Sequence, residues 1–163
     1  MKIQFIIVGW HFENFPELID QLIEVNQNDE VNVFWSCHNE PPNKIKNNFS
    51  YKLFPNLGLE DGAYQQALDY LDIKDDTILF LMHDDLIIKD WNFVNVCLGL
   101  LNEGYKVIGN GINYPLNLDP NETKRGKKYI DFVKEECKSI FSTPLFCYTI
   151  RESFMCIKRG DLK

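Results

Sequence analysis

Residues 77–85 read Thr-Ile-Leu-Phe-Leu-Met-His-Asp-Asp, an apolar run that stops abruptly at two acids. A continuous apolar run of this length is typical of a strand that is covered on both faces, as in a parallel sheet. Residues 3–8 form a second run of the same kind. We therefore predict a buried strand over 77–82 whose carboxyl end carries His83, Asp84 and Asp85 to the edge of a sheet.

Strands and helices alternate outward from this run. Further strands are predicted over 31–36, 49–54 and 107–111, where β-branched and aromatic residues are frequent. Apolar residues at helical spacing predict three helices: Phe15, Leu18, Ile19, Leu22 and Ile23 after an N-cap at Asn14; Ala63, Tyr64, Ala67, Leu68 and Leu71; and Phe93, Val94, Cys97, Leu98 and Leu101 after Asp90. This order predicts an α/β fold, a three-layer sandwich with a mostly parallel central sheet.

The last third of the chain has a weaker pattern. It predicts a polar loop over 113–128, a helix over 129–140, and strands over 146–150 and 154–157. At 163 residues the chain is the size of one domain, which we expect to span 1–163.

Composition excludes several classes of protein. The net charge of −7 argues against nucleic acid as a partner. Five widely spaced cysteines without a C-x-x-C pair indicate buried thiols in a reducing compartment, and no stretch approaches the roughly 18 apolar residues of a membrane span. P-loop, G-x-S-x-G and G-x-G-x-x-G patterns are missing. We expect a cytoplasmic protein that reaches a membrane only through a partner or peripherally.

The acid pair at 84–85 is the strongest candidate for chemistry. Carboxylates held at the end of a rigid strand suit Mg²⁺ or Mn²⁺ that also binds substrate phosphates. The alternative is that two acids after a strand form a solvated turn, as we expect for Asp75 and Asp76 before the same strand. Ligands of open α/β sheets bind at the carboxyl ends of the strands, which favours a site at Asp84 and Asp85.

With this motif the sequence resembles the inverting, family 2-like glycosyltransferases of the GT-A fold. The resemblance implies that Asp85 is the main metal ligand for Mn²⁺ or Mg²⁺ and that Asp84 contacts the ribose or supports the metal. His83 stands where some members carry a further acid. A second matching stretch is Asn56-Leu57-Gly58 with the following Gly62, which in that family lines the nucleotide pocket.

Two loops complete the resemblance. The loop after the first strand, with Gly9, Trp10 and His11, holds the nucleotide base in that family. Trp10 could stack on a base, although such aromatics more often pack against the sheet. After the second strand the family has an Asp that reads the base. Here His38 and Asn39 are the two candidates for its place, and the identity of the base stays open.

The resemblance implies a nucleotide-binding part over about 1–112 and an acceptor-side part over about 113–163. It implies transfer of a sugar from a nucleoside-diphosphate donor to a saccharide or lipid-linked acceptor. A general base normally follows the final matching strand, and none can be named: the chain is truncated, a partner supplies the group, an acid between 119 and 136 does so, or the domain binds a nucleotide-sugar without turnover. A nucleotidyltransferase would need a Gly-rich, basic loop after the first strand, which 9–14 lacks, and the basic cluster at 124–128 is interpreted as a solvated face.

Overall fold

The computed structural model describes residues 2–12, 14, 16–57, 59–115 and 146–162, with side chains for these except 59–60, 110–115 and 146–153. The strands are β1 (Ile3–Gly9), β2 (Val31–Cys37), β3 (Ser50–Leu53), β4 (Ile78–His83), β5 (Val107–Pro115) and β6 (Phe146–Lys158). The helices are α1 (Pro16–Val25), α2 (Asn43–Asn48), α3 (Leu59–Tyr70) and α4 (Asn92–Asn102), followed at the end by a short 3-10 turn at Arg159–Asp161.

The strands form one mixed sheet in the order β3-β2-β1-β4-β6-β5. Strand β1 is parallel to both β2 and β4, and β2 is parallel to β3. Strand β6 runs antiparallel to β4, pairing Phe80 with Cys156. The predicted α/β class is confirmed. In the six-stranded sheet the neighbouring strands β3, β2, β1 and β4 are parallel, and β6 is antiparallel to β4.

Helices cover both faces of this sheet. Alternate residues of each strand point to opposite faces, so Phe5 and Ile7 contribute to one apolar cluster and Ile6 and Val8 to another. The first cluster includes Leu18, Ile19 and Leu22 of α1, Ile45 of α2 and Cys97 of α4. The second includes Ala63, Tyr64 and Ala67 of α3. Because both faces of the sheet are covered, β1 is apolar at every position except Gln4, and β4 at every position except His83.

Several predicted boundaries were wrong. The two strands predicted over 146–150 and 154–157 are one strand, because polar residues 151–153 separate the apolar segments without ending β6. Helix α2 was missed: it has six residues and buries only Ile45, too few for a periodic pattern. Residues 113–115 belong to β5 and not to a loop. The helix predicted over 129–140 and the basic cluster at 124–128 lie outside the described residues.

The chain divides into two compact units, residues 1–110 with 151–163, and residues 111–150. In the second unit the described segments, 111–115 and 146–150, are extended strand. None of the helices in the described part of the chain has the length and apolarity to cross a bilayer. The prediction of a single domain over 1–163 stays a prediction.

Candidate functional site

The order of the strands creates a topological switch point between β1 and β4. From β1 the chain proceeds to β2 and β3 on one side, and then returns to place β4 on the other side of β1. The register of β1 and β2 pairs Gly9 with Cys37, and that of β1 and β4 pairs Val8 with His83. The carboxyl ends of β1, β2 and β4 therefore lie side by side. Ligands of open α/β sheets bind in the crevice at such a point.

A cleft of about 300 Å³ occupies this position. Its described lining consists of Val8, Trp10, His11, His38, Asn56, His83, Asp84 and Asp85. Seven residues that the sequence predicted for the site therefore meet in one cleft, although Trp10 and Asp84 are 74 positions apart. All three histidines of the chain are among them.

Two further residues that the sequence predicted for the site, Gly9 and Gly58, are glycines. Gly9 ends β1 beside the cleft, and a Cβ there would lie 2.2 Å from Cε1 of Phe12 and 3.2 Å from Cε3 of Trp35. Gly9 is thus required by the packing of two core aromatics. Gly58 lies outside the described residues. Asn56 is exposed at the cleft wall. It lies two residues after Phe54, whose backbone N–H donates to the carbonyl oxygen of Cys37.

Gly62 packs closely against the segment that precedes α3. A Cβ on Gly62 would lie 1.6 Å from the carbonyl oxygen of Leu57, so this glycine lets α3 pack against the segment that carries Asn56. The close approach is therefore between two parts of the chain, and it fixes where Asn56 meets the cleft.

Asp84 is an internal anchor of the cleft. Its Oδ2 atom accepts hydrogen bonds from the backbone N–H of Trp10 at 2.7 Å and of His11 at 2.6 Å. The residue is only 6% exposed. Burial raises the pKa of its carboxyl and the neighbouring Asp85 adds to that, while the two N–H donors act in the opposite direction. Asp84 therefore holds the loop after β1 in place.

Asp85 has the opposite environment. Its side chain is 54% exposed, and its Oδ1 lies 3.9 Å from Nδ1 of His83. His83 is half-buried under Tyr64, whose ring stacks on it at 6.2 Å with an interplanar angle of 27°. The Nε2 atom of His83 is buried and has no hydrogen-bond partner within the part of the chain that the structure describes. Of the two acids, Asp85 is the one whose carboxylate is open to a ligand.

Trp10 and His38 form another part of the cleft wall. Trp10 keeps 38% of its surface exposed, so it lines the cleft instead of packing against the sheet. Its ring meets that of His38 edge-on, with centroids 5.6 Å apart. Asn39, the other candidate for reading a base, donates its amide N–H to Trp10 O at 3.1 Å and is not among the lining residues.

The cleft carries negative charge. Its described lining contains Asp84 and Asp85 and neither lysine nor arginine. The three histidines are the sole side chains in that lining that can become cationic. A phosphorylated ligand thus meets carboxylates without a fixed positive charge, which is unfavourable unless a cation binds with it.

A divalent cation fits the donors that are present. The described residues contain no group of three His, Cys, Asp or Glu side chains able to hold a metal by themselves. Mg²⁺ and Mn²⁺ in phosphate sites take one or two carboxylates and complete their shell with phosphate oxygens and water. Asp85 offers the accessible carboxylate for this arrangement, whereas Oδ2 of Asp84 already accepts two N–H bonds.

One supporting contact was not predicted. Gln21 of α1 donates its amide to Ile88 O at 2.6 Å and accepts from Ile88 N at 3.2 Å. This pair fixes the loop that follows the acids from a residue 67 positions away. No local pattern marks Gln21, which occupies an ordinary polar position between the apolar residues of the helix.

Comparison with known proteins adds no assignment. No family model matches the chain, and no curated protein matches it. The site has to be interpreted from its own geometry.

Proposed function

We propose that this chain is a GT-A-type glycosyltransferase domain that binds a nucleoside-diphosphate sugar together with Mn²⁺ or Mg²⁺ and transfers the sugar to a saccharide or lipid-linked acceptor. The observation that carries the proposal is the placement of Asp84 and Asp85 across the switch point from the Trp10 loop, in one cleft. The resemblance of the acid motif and of the Asn56 segment to that family supports the same function.

The residues of the cleft have different roles in this function. Asp85 would hold the cation, which would offset the charge of the diphosphate and of the leaving nucleotide. Asp84 keeps the backbone of Trp10 and His11 in position, so that the aromatic ring forms a face for a flat group such as a base. Asn56, which also lines the cleft, supplies amide donors and an acceptor.

The test compares two acids at opposite ends of β4. Asp85→Asn should reduce Mn²⁺-dependent binding of nucleoside diphosphates by about 10-fold or more, since it removes the accessible charged ligand. Asp76→Asn is the matched control, because Asp76 is exposed and lies at the other end of the strand. Equal loss in both variants, or unchanged affinity in Asp85→Asn, would rule out this assignment.

A second candidate is a domain of the same fold that binds a nucleotide-sugar without turnover. It is favoured by the described lining of the cleft, which offers no carboxylate beyond Asp84 and Asp85 to act as general base on an acceptor hydroxyl. Measurement of nucleoside diphosphate released from labelled nucleotide-sugars separates the two. Metal-dependent release supports the transferase, and binding without release supports the binding domain.

A further inference from the structure

The loop between β4 and α4 is tied to the rest of the chain on both sides of Asp85. Before Asp85, the carboxylate of Asp84 accepts hydrogen bonds from two backbone N–H groups of the loop after β1. After it, the backbone of Ile88 makes two hydrogen bonds with the side chain of Gln21 in α1. Asp85 therefore belongs to a stretch of three residues, 85–87, that lies between two anchored positions.

The Gln21 side chain satisfies both polar groups of the Ile88 backbone. Its Nε2 atom donates to the carbonyl oxygen at 2.6 Å, and its Oε1 atom accepts from the N–H at 3.2 Å. A primary amide carries a donor and an acceptor side by side, so one side chain orients the peptide groups on both sides of the Ile88 Cα atom. The side chain of Ile88 is buried in the cluster that contains Leu18 and Leu22 of α1. Packing and hydrogen bonding thus fix the same residue against the same helix.

The anchored ends matter because the residues between them are open to solvent. The side chain of Asp85 is 54% exposed, and Ile87 is also exposed. A ligand binds more tightly when the groups that receive it are already held in place. Hydrogen bonds that orient the ligands of a metal ion typically contribute about 10- to 100-fold to its affinity.

We infer that Gln21 is a positioning residue of the cation site: by fixing Ile88, it holds the loop in the conformation from which Asp85 binds Mn²⁺ or Mg²⁺. Gln21 is not among the described residues that line the cleft, so its effect on the ion passes through the loop. This inference rests on the proposed function, since it assumes that Asp85 binds a cation.

The test is the affinity of the full chain for Mn²⁺, measured from the EPR signal of the free ion at a fixed concentration of nucleoside diphosphate. The nucleotide is whichever of UDP, CDP, GDP and ADP binds most tightly with Mn²⁺. Gln21→Met keeps the length of the side chain and removes both hydrogen bonds, and it should lower Mn²⁺ affinity by about 10-fold. Gln65→Met is the matched control, because Gln65 is exposed and donates to Asp69 of its own helix. The control should stay within about twofold of the unaltered protein.

A double-mutant cycle shows whether Gln21 acts through Asp85. In the Asp85→Asn background, where the charged ligand is already lost, addition of Gln21→Met should change Mn²⁺ affinity by less than about twofold. A purely structural role predicts the same loss in both backgrounds, and that result would overturn the positioning role. If the affinity of Asp85→Asn is too low to measure, the comparison of Gln21→Met with Gln65→Met decides alone.

The outcomes separate this inference from the proposed function. If the unaltered chain binds no Mn²⁺ with any of the four nucleotides, both fail together. If it binds and Gln21→Met binds equally well, the positioning role fails and the proposed function stands. If Gln21→Met does not fold, as judged by thermal unfolding, Gln21→Asn takes its place with the same expected loss, because its amide is one methylene too short to reach Ile88.

Discussion

Asp84 Oδ2 accepts a hydrogen bond from the backbone N–H of Trp10 across 74 positions of sequence. The same oxygen accepts from His11 N, so one buried carboxylate fixes the start of the loop after β1. The acid next to it, Asp85, remains exposed. Asp84 is therefore a structural anchor, and its neighbour Asp85 is the candidate ligand for a cation.

Two replacements of Asp84 should distinguish the contribution of its hydrogen bonds to stability from the contribution of its charge. Asp84→Ala leaves two N–H groups without their acceptor and should destabilise the protein by about 1–3 kcal/mol. Asp84→Asn keeps an oxygen for both donors and removes a buried charge, so its stability at pH 7 should equal or exceed that of the unaltered protein. Thermal or urea unfolding of the three proteins measures this. A loss in Asp84→Asn as large as in Asp84→Ala would contradict the anchoring role.

The titration of Asp84 predicts a pH dependence with a definite sign. Burial raises the pKa of its carboxyl above the usual 3.8, so the folded protein binds this proton more readily than the unfolded chain does. In the pH range between 3.8 and the raised value, folding stability attributable to this group falls as pH rises.

The measurement is the difference in unfolding free energy between the unaltered protein and Asp84→Asn, which cancels the other carboxylates. That difference should shift in favour of the unaltered protein as pH is lowered from 7 through this range. A constant difference, or one that shifts the other way, would show that the pKa of Asp84 is not raised.

Cation and nucleotide should bind together. Because the described lining supplies one accessible carboxylate and no lysine or arginine, Mn²⁺ alone should bind weakly and a nucleoside diphosphate alone should bind weakly. Each should raise the affinity for the other by the same factor, as linkage requires. Titration of Mn²⁺ with and without saturating UDP tests this, and chelation with EDTA should release the nucleotide. Tight nucleotide binding in EDTA would contradict it.

Gly62 should not tolerate a side chain. Its Cβ would overlap the carbonyl oxygen of Leu57 at 1.6 Å, so Gly62→Ala must displace the segment that carries Asn56. We expect a loss of about 1–3 kcal/mol and weaker nucleotide binding. Gly99→Ala in α4 is the control, since its Cβ meets nothing within 4 Å, and it should stabilise the helix by roughly 0.5–1 kcal/mol. Similar effects of the two changes would refute the packing argument.

Cys37, Cys97 and Cys156 should be inert towards thiol reagents in the folded protein. All three are free and buried, as the sequence predicted for its cysteines, and burial raises the pKa of Cys37 to about 12 and also raises that of Cys156. Cys137 and Cys147 lie outside the residues whose side chains are described. A Cys137→Ser, Cys147→Ser variant should therefore react with a disulfide reagent only after denaturation, and then with three equivalents. Fast reaction of the native variant would contradict the burial.

Much of the fold followed from local sequence. The apolar runs of β1 and β4 predicted buried parallel strands, and the spacing of Leu18, Ile19 and Leu22 predicted the face of α1 that is buried. Helix α2 was not predicted because a six-residue helix is too short to show a periodic pattern. The continuity of β6 was not predicted because backbone pairing continues the strand through residues whose side chains break the apolar pattern.

The sequence by itself determined that two acids stand at the carboxyl end of the most apolar strand, and which loops accompany them. Only the tertiary structure decided what each side chain does there: that Asp84 accepts from the Trp10 loop, that Asp85 is left open, and that His38 is tied to Phe54. The physical reason is that each of these contacts joins residues on different strands or loops. Their directions depend on strand order and register, which no single stretch of the chain contains.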